Sequence, residues 1–322
     1  FEVAPGITAI LRDAGHILGS AIVEVAVTEG AYARRVVFSG DLGNAPDPLL
    51  PAPETVERAD IVVMESVYGD RSHEDRPSRK LKLERIAEET IRAGGVLMIP
   101  VFAVERTQEI LFELNELVEH GRIPRVPVFL DAPLAIRATD IYRRSAEYFN
   151  ERAARLVASG DDIFKFPGLR MTLTKEESRF INDVPPPKII IAGSGMSEGG
   201  RIHHHLIRYL PDPESTFLTV GYQSPGSIGR RILEGESPIR LRGSSVPVRA
   251  RIEHIAGYSG HADREALRAW VGAIARPVEK VFAVQGEVQA SEALVQHLRD
   301  RLGIDAVVPN PGDSFTPLEI AT

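Results

Sequence analysis

The stretch GVLMIPVFAVERTQEILFELNELVE, residues 95–119, decides the fold class because it joins two different periodicities. Its opening run, Gly95 to Val101, is short, apolar and bounded by glycine, which is typical of a strand buried on both faces. From Glu105 to Glu119 apolar residues recur at helical spacing, so this part predicts an amphipathic helix. The apolar side of that helix carries Ile110, Leu111, Leu114 and Leu117. A buried strand followed by an amphipathic helix is the repeating unit of parallel α/β sheets.

The same alternation continues on both sides of this stretch. A helix is predicted from Ser78 to Ala93, before it. After it come a predicted strand, a helix and another strand, at Val128–Leu130, Ala138–Ala154 and Ile189–Ala192. This order predicts a mostly parallel sheet covered by helices.

The two ends of the chain have different patterns. β-branched residues cluster in short runs before residue 40, and an apolar run, Ile61–Met64, ends in Glu65. Near the other end, the pattern predicts helices at Asp263–Ile274 and Ala290–Arg301 around a strand, Val281–Val284. Because each end is small, we expect the two ends to pack together, with the α/β block inserted between them.

Composition limits the chemistry of the protein. The chain has 322 residues, 43% hydrophobic and 26% charged, which is ordinary for a globular protein, and its apolar runs are too short to cross a membrane. It has no cysteine, so histidine and carboxylates are the only strong zinc ligands available. A net charge of −7 excludes a chain-wide basic field, and a phosphate-binding surface must therefore be local. The chain starts at Phe1 without a signal pattern, from which we expect a cytoplasmic location and a longer parent protein.

Two glycine-framed turns carry side chains that can bind metal. DAGHILGS, residues 13–20, holds His16, and FSGDLG, residues 38–43, holds Asp41. Glycine allows such turns to bring their backbones close to each other or to a cofactor. Taken singly, each is also compatible with a structural histidine or an ordinary turn aspartate.

Two further segments could perform acid–base chemistry. GYSGHAD, residues 257–263, places His261 at a predicted helix start, where backbone N–H groups favour an anion such as phosphate. A histidine there can protonate a leaving oxygen if a carboxylate supports it, and Glu65 is the candidate. The alternative makes Ser259 a helix cap and His261 a polar first-turn residue.

Together these segments resemble the β-CASP branch of the metallo-β-lactamase fold, a family of nucleases. The resemblance rests on six motifs in the family's order: AGHILGSA, SGDLG, ESVYGDR, IPVFAVERTQEIL, GSGMSEGGRIHHHL and GYSGHAD. It implies an α/β protein in which a partial metallo-β-lactamase αββα sandwich, residues 1–72 and 253–322, holds an inserted β-CASP domain, residues 73–252.

The resemblance also implies roles for individual residues. His16 corresponds to a zinc ligand, Asp41 to the carboxylate that bridges two zinc ions, and Glu65 and His261 to the first and second β-CASP motifs. The implied activity is zinc-dependent endoribonuclease cleavage of single-stranded RNA. His261 would protonate the leaving ribose oxygen and Glu65 would orient His261. A homodimer is a further expectation.

Two departures from the family pattern open alternatives. The family's His-x-His-x-Asp-His motif is absent upstream of His16, so these 322 residues alone are expected to be inactive. In VQGE, residues 284–287, Gln285 stands where RNA-acting members carry a histidine ligand, and an amide is a weak zinc ligand. The alternatives are a non-catalytic RNA-binding or scaffold protein and a DNA-acting nuclease. A hydrolase of small esters is disfavoured by the β-CASP block.

Four residues are candidates for substrate contact. Ser194 and Arg201 belong to the glycine-rich turn 193–201, which could cradle a phosphate with backbone amides. Ser259 belongs to GYSGHAD. Arg106 could reach a phosphate or could instead pair with Glu105 or Glu109.

Arginines between residues 230 and 251 form a local basic concentration. They could contact phosphates or form a salt-bridged, solvated face.

Overall fold

The computed structural model describes residues 1–30, 32–74, 76–275 and 278–315. The chain divides into two compact units. The terminal unit consists of residues 1–73 and 260–322, and the central unit of residues 74–259. The predicted family-domain limits, 1–72, 73–252 and 253–322, remain predictions.

Strands and helices alternate through most of the chain. The strands are β1 (Glu2–Ala4), β2 (Ile7–Asp13), β3 (Ala21–Glu29), β4 (Tyr32–Phe38), β5 (Ile61–Glu65), β6 (Val96–Pro100), β7 (Val128–Asp131), β8 (Leu169–Met171), β9 (Lys188–Ala192), β10 (Thr216–Val220), β11 (Ile239–Leu241), β12 (Ser244–Val246), β13 (Arg251–Ile255), β14 (Lys280–Val284) and β15 (Ala306–Val307). The helices are α1 (Arg76–Ala93), α2 (Arg106–Glu119), α3 (Pro133–Arg143), α4 (Glu151–Ala158), α5 (Lys175–Phe180), α6 (Ile202–Tyr209), α7 (Ile228–Leu233), α8 (Arg264–Gly272) and α9 (Val288–Leu302). Within the described ranges, no helix has both the length and the apolar character needed to cross a lipid bilayer.

A seven-stranded sheet organises the terminal unit. Its order is β1-β2-β3-β4-β5-β14-β15, antiparallel from β1 to β4 and parallel from there on. Strand β5 comes from the first part of the chain and β14 from the last, and they pair so that Glu65 lies opposite Val284. The core of the unit joins this sheet to α8 and α9 through Val62, Met64, Leu267, Trp270, Leu294 and Leu298.

The central unit is built on a six-stranded sheet of order β13-β10-β6-β9-β7-β8. Every neighbouring pair is parallel, which confirms the sheet type predicted from the alternation of strands and helices. Strands β6 and β9 are buried along their whole length, as continuous apolar runs require.

The helix predicted over Ala138–Ala154 is wrong, because two helices replace it. α3 ends at Arg143 and α4 starts at Glu151, where the side chain of Asn150 accepts a hydrogen bond from Ala153 N at 2.9 Å and caps the new helix. Between them Phe149 is buried, its ring centroid 6.3 Å from that of Tyr142. Burial of this aromatic ring favours a bend over a continuous helix.

A buried carboxylate ties several elements of the central unit together. Asp131, at the end of β7, is fully buried and accepts four hydrogen bonds, each 2.7–2.8 Å long. The donors are Thr172, Ser178, Arg201 and His205. Burial alone would raise the pKa of Asp131, but these hydrogen bonds outweigh it and lower the pKa from 3.8 to about 2.

This pKa predicts an acid-sensitive contribution to stability. Because the folded pKa lies below the unfolded one, the ionised carboxylate stabilises the fold above pH 3.8, and the contribution is lost as the pH falls towards 2. We expect Asp131→Asn to reduce the free energy of unfolding by about 2 kcal/mol at neutral pH and by much less near pH 2.5. Urea unfolding followed by circular dichroism measures both values. Asp140→Asn, at an exposed surface ion pair, is the control, expected to change stability by less than about 0.5 kcal/mol. A loss for Asp131→Asn that does not vary with pH would contradict the assignment.

Candidate metal centre and catalytic site

The turn after β2 presents His16. Ser20 Oγ accepts hydrogen bonds from the backbone N–H groups of His16 and Ile17, at 3.1 and 3.2 Å. Gly15 has a φ of +64°, in the left-handed region that glycine adopts without strain. The turn is therefore held by hydrogen bonds from its backbone to the Ser20 hydroxyl.

A second glycine turn packs directly on the first. Gly43 N donates to Ala14 O at 2.8 Å. A Cβ on Gly43 would lie 2.0 Å from Gly15 O, so the two backbones meet at a distance that only glycine permits. This packing places His16 Nε2 3.7 Å from Asp41 Oδ2.

A buried carboxylate beside these turns orients His261. Glu65 is fully buried, and its Oε1 accepts a hydrogen bond from Leu42 N at 2.6 Å. The same oxygen lies 3.1 Å from His261 Nδ1, a hydrogen-bonding distance. The backbone of His261 pairs with that of Gly43 in an isolated bridge, so the imidazole is positioned by both its ring and its backbone.

The electrostatics of Glu65 reflect its burial. Burial raises the pKa of this carboxyl above 4.5, and the hydrogen bond and charge of His261 oppose the rise. The hydrogen bond from Leu42 also opposes the rise, and the nearby Asp41 charge adds to it. Glu65 is thus a buried acid whose charged form depends on its donors.

The resulting cluster has the donor chemistry of a zinc site. His16, Asp41 and His261 each offer one ligand atom, and these atoms lie within 4.8 Å of one another. Two ligands of one zinc ion, each about 2.1 Å from it, can be at most about 4.2 Å apart. The 3.7 Å between His16 and Asp41 satisfies that limit. His16 and Asp41 thus supply one nitrogen and one oxygen donor of the kinds that bind zinc, and His261 is the third residue of the cluster.

Gln285 contacts this cluster from the end of β14. It has a φ of +67°, and its Nε2 donates to Asp41 Oδ1 at 3.1 Å. The next residue, Gly286, lies against Ser66, where a Cβ would be 2.5 Å from Ser66 O. Ser66 Oγ in turn donates to Val284 O at 2.7 Å. The ends of β5 and β14 therefore fix the amide of Gln285 on one oxygen of Asp41.

The candidate substrate contacts lie in the central unit, and their assignment remains a prediction. Ser194 is half-buried and lines a cavity of about 370 Å³, and its Oγ accepts from Gly199 N at 3.3 Å. Ser259 is buried. Arg106 is buried in an ion pair with Glu109, the alternative that the sequence left open.

Arg201 makes three hydrogen bonds of 2.8 Å, to Asp131, Thr172 O and Leu173 O. It is mainly a structural residue of the Asp131 cluster. Asp131 was not predicted from the sequence, although the end of a buried strand is a usual position for functional carboxylates.

Comparison with known proteins identifies the family. An RNase J-like protein of Methanocaldococcus jannaschii is 32% identical over 304 residues, which are 93% of this chain and 68% of that protein. The chain belongs to the β-CASP family of metallo-β-lactamase-fold nucleases. The family's Beta-Casp domain model matches residues 107–232, and a model described as a Zn-dependent metallo-hydrolase RNA specificity domain matches residues 245–309.

Other β-CASP relatives agree with this assignment. Ribonuclease TTHA0252 of Thermus thermophilus is 42% identical over 284 residues, 87% of this chain and 63% of that protein. Transcription termination factor FttA of Methanosarcina mazei is 33% identical over 314 residues, 94% of this chain and 49% of that protein. The chain thus spans about half to two thirds of the length of these relatives. The resemblance seen in the motifs is confirmed.

The contact between the two glycine turns predicts a strong effect of a single methyl group. We expect Gly43→Ala to destabilise the terminal unit by about 2 kcal/mol or more, because its Cβ would overlap a backbone oxygen. Urea unfolding followed by the fluorescence of Trp270, the single tryptophan, reports on this unit. Gly272→Ala in α8 is the matched control, because its Cβ would make only an ordinary contact, 3.7 Å from Leu302. Equal stability of the two variants would show that the turns can separate at little cost.

Proposed function

We propose that this chain carries catalytic residues of a zinc-dependent endoribonuclease that hydrolyses phosphodiester bonds of single-stranded RNA. The observation that carries the proposal is the buried carboxylate of Glu65 at 3.1 Å from the half-buried imidazole of His261, which clusters with His16 and Asp41. An oriented imidazole next to a metal-competent cluster suits metal-assisted hydrolysis.

His16 and Asp41 are the residues that would hold zinc. Bound zinc would supply Lewis acidity, which activates water and stabilises negative charge on the scissile phosphate. The close packing of the two glycine turns keeps the two side chains at the separation that ligands of one ion need. Zinc is supported at the family level by the description of the domain model matched at residues 245–309.

His261 would act as the general acid. With Nδ1 turned to Glu65, the opposite ring nitrogen, Nε2, is the atom that would transfer a proton to the leaving ribose oxygen. Glu65 is a positioning residue, because it acts through His261. Its carboxylate fixes the ring orientation and stabilises the protonated imidazole.

RNA as substrate is supported by the relatives. The Thermus thermophilus relative is named a ribonuclease, and the model matched at residues 245–309 is described as an RNA specificity domain. Cleavage of a circular RNA, which has no ends, would test the endonucleolytic mode. A cytoplasmic location and a homodimer remain predictions.

The acid role predicts a dependence on the leaving group. We expect His261→Ala, in the gene product that contains these residues, to lower kcat on RNA by about 100-fold or more. A nucleoside phosphodiester with a nitrophenolate leaving group needs no proton, so its kcat should fall far less. Steady-state kinetics on both substrates measures the difference.

Two results distinguish the acid role of His261 from a role as metal ligand and test the positioning role of Glu65. Equal losses on the two substrates would refute the acid role and favour His261 as a metal ligand, the other role open to a member of the cluster. Glu65→Gln should lower kcat and leave KM unchanged, because it alters the orientation of His261 and not substrate binding.

Gln285 predicts a specific change in metal binding. We expect Gln285→His to raise zinc affinity about tenfold or more, because an imidazole would replace an amide that contacts Asp41. Competition with a chromogenic zinc chelator measures affinity, and elemental analysis gives the number of ions. Gln285→Leu, which removes the same amide without adding a ligand, is the control. Unchanged affinity in Gln285→His would show that this position does not face the metal.

A non-catalytic RNA-binding protein is the second candidate function. The observation that favours it is the hydrogen bond from the Gln285 amide to Asp41 Oδ1. This hydrogen bond occupies a carboxylate oxygen that would otherwise be available to bind a second metal ion. Binding of RNA without cleavage, with zinc bound at saturation, would support this candidate. Cleavage of single-stranded DNA but not of RNA would support the DNA-acting alternative.

A further inference from the structure

The central unit contains a basic cavity that the proposed catalytic site does not use. It has a volume of about 300 Å³ and lies between α5 and α6, where Lys175, Arg179, Arg201 and His204 line it. We propose that this basic pocket binds backbone phosphates of a single-stranded RNA, an inference that rests on the proposed function and adds a binding site to it.

Helix α5 carries its cations and its carboxylates on different faces. On α5, Lys175, Ser178 and Arg179 follow the spacing i, i+3 and i+4, and they line the basic pocket together with Asn182, which comes after the helix. Two acidic residues of the same segment, Glu176 and Glu177, line a different cavity. No carboxylate is among the lining residues of the basic pocket.

The two cations of α5 make no ion pair with the residues that the structure describes. Lys175 and Arg179 are exposed, and within the described part of the chain neither has a carboxylate partner. The arginines singled out by sequence behave differently, since Arg231 pairs with Glu236 and Arg251 with Glu89. The basic concentration near residues 230–251 is therefore partly neutralised, whereas the two charges on α5 remain to attract an anion.

Hydrogen bonds to one buried carboxylate hold the wall of the pocket in place. Ser178, Arg201 and His205 all hydrogen-bond to Asp131, which lies fully buried beneath them. These contacts connect α5 and α6 to β7. The negative charge of the carboxylate is balanced by hydrogen-bond donors inside the fold. A preorganised wall lowers the entropy cost of binding a ligand.

The pKa of His204, which lines the basic pocket, indicates positive charge nearby. Burial lowers the pKa of this imidazole, and the charge of Arg242 lowers it further. Arg242 therefore lies close enough to add to the positive potential around His204.

The chemistry of the lining selects phosphate groups carried on a strand. Lys and Arg donors contact phosphate oxygens without reading base sequence, and they supply affinity that depends on salt. Exposed cations beside a hydrogen-bonded wall suit an extended polyanion that passes over them. RNA is the polyanion we favour, because a relative of this chain is named a ribonuclease.

Equilibrium binding of the 322-residue chain to a fluorescein-labelled oligouridylate tests the inference. The measurement is fluorescence anisotropy over a range of salt concentrations, with a chelator present to prevent cleavage. We expect K175A/R179A to weaken binding about tenfold and to reduce the slope of log Kd against log salt by about 1.4, the value for two lost phosphate contacts.

Two matched variants accompany the test. R122A/R155A also removes two exposed arginine charges from the central unit, each paired with a glutamate, and should bind RNA within twofold of the wild type. K175R/R179K keeps both charges and should restore wild-type binding. Circular dichroism and thermal unfolding check that every variant is folded.

The possible outcomes separate the pocket from the nuclease proposal. Wild-type binding by K175A/R179A, an equal loss in R122A/R155A, or no RNA binding by the wild type would overturn the inference. Binding of polyglutamate more tightly than RNA at matched ionic strength, dependent on Lys175 and Arg179, would overturn RNA as the ligand. RNA binding that depends on this pair, in a gene product that cleaves no RNA, would refute the nuclease proposal and leave the pocket standing.

Discussion

The terminal unit depends on the parallel pairing of β5 with β14. These strands come from opposite parts of the chain, and the hydrogen bond from Ser66 to Val284 joins residues 218 positions apart. The pairing brings the ends of the two strands to one edge of the sheet, so that Glu65 and Gln285 approach the same cluster from neighbouring strands. The contact between Gln285 and Asp41 therefore depends on this pairing.

Both units place a buried carboxylate at the end of a strand, with opposite effects on its pKa. Asp131 receives four hydrogen bonds, which outweigh burial and lower its pKa. Glu65 receives fewer, so burial dominates and raises its pKa. The first arrangement stabilises a charge and suits a structural role. The second leaves a carboxylate whose ionisation depends on an adjacent imidazole, which suits a residue that supports acid–base chemistry.

Some basic residues are hydrogen-bonded or ion-paired within the fold, whereas others remain available to bind a ligand. Arg201 lies in the glycine-rich segment that suggested phosphate binding, yet its guanidinium contacts Asp131 and two carbonyl oxygens. Arg106 is similarly engaged with Glu109. Lys175 and Arg179 belong to no recognised motif, but they share a helix face that is free of carboxylates. Motif membership and availability for a ligand are therefore different properties in this protein.

The sequence by itself predicted the parallel sheet from local periodicity and the family from motifs that resemble it. The same motifs contain His16, Asp41 and His261, whose donor atoms the structure places within 4.8 Å of one another. It could not determine the break at Asn150, since burial of Phe149 decides it, or the partner of Arg106, since several acids lie within reach along the helix. Only the tertiary structure decided that Asp131 accepts four hydrogen bonds and that Lys175 and Arg179 line the same cavity. These outcomes depend on contacts between segments far apart in the chain, and no local pattern records such contacts.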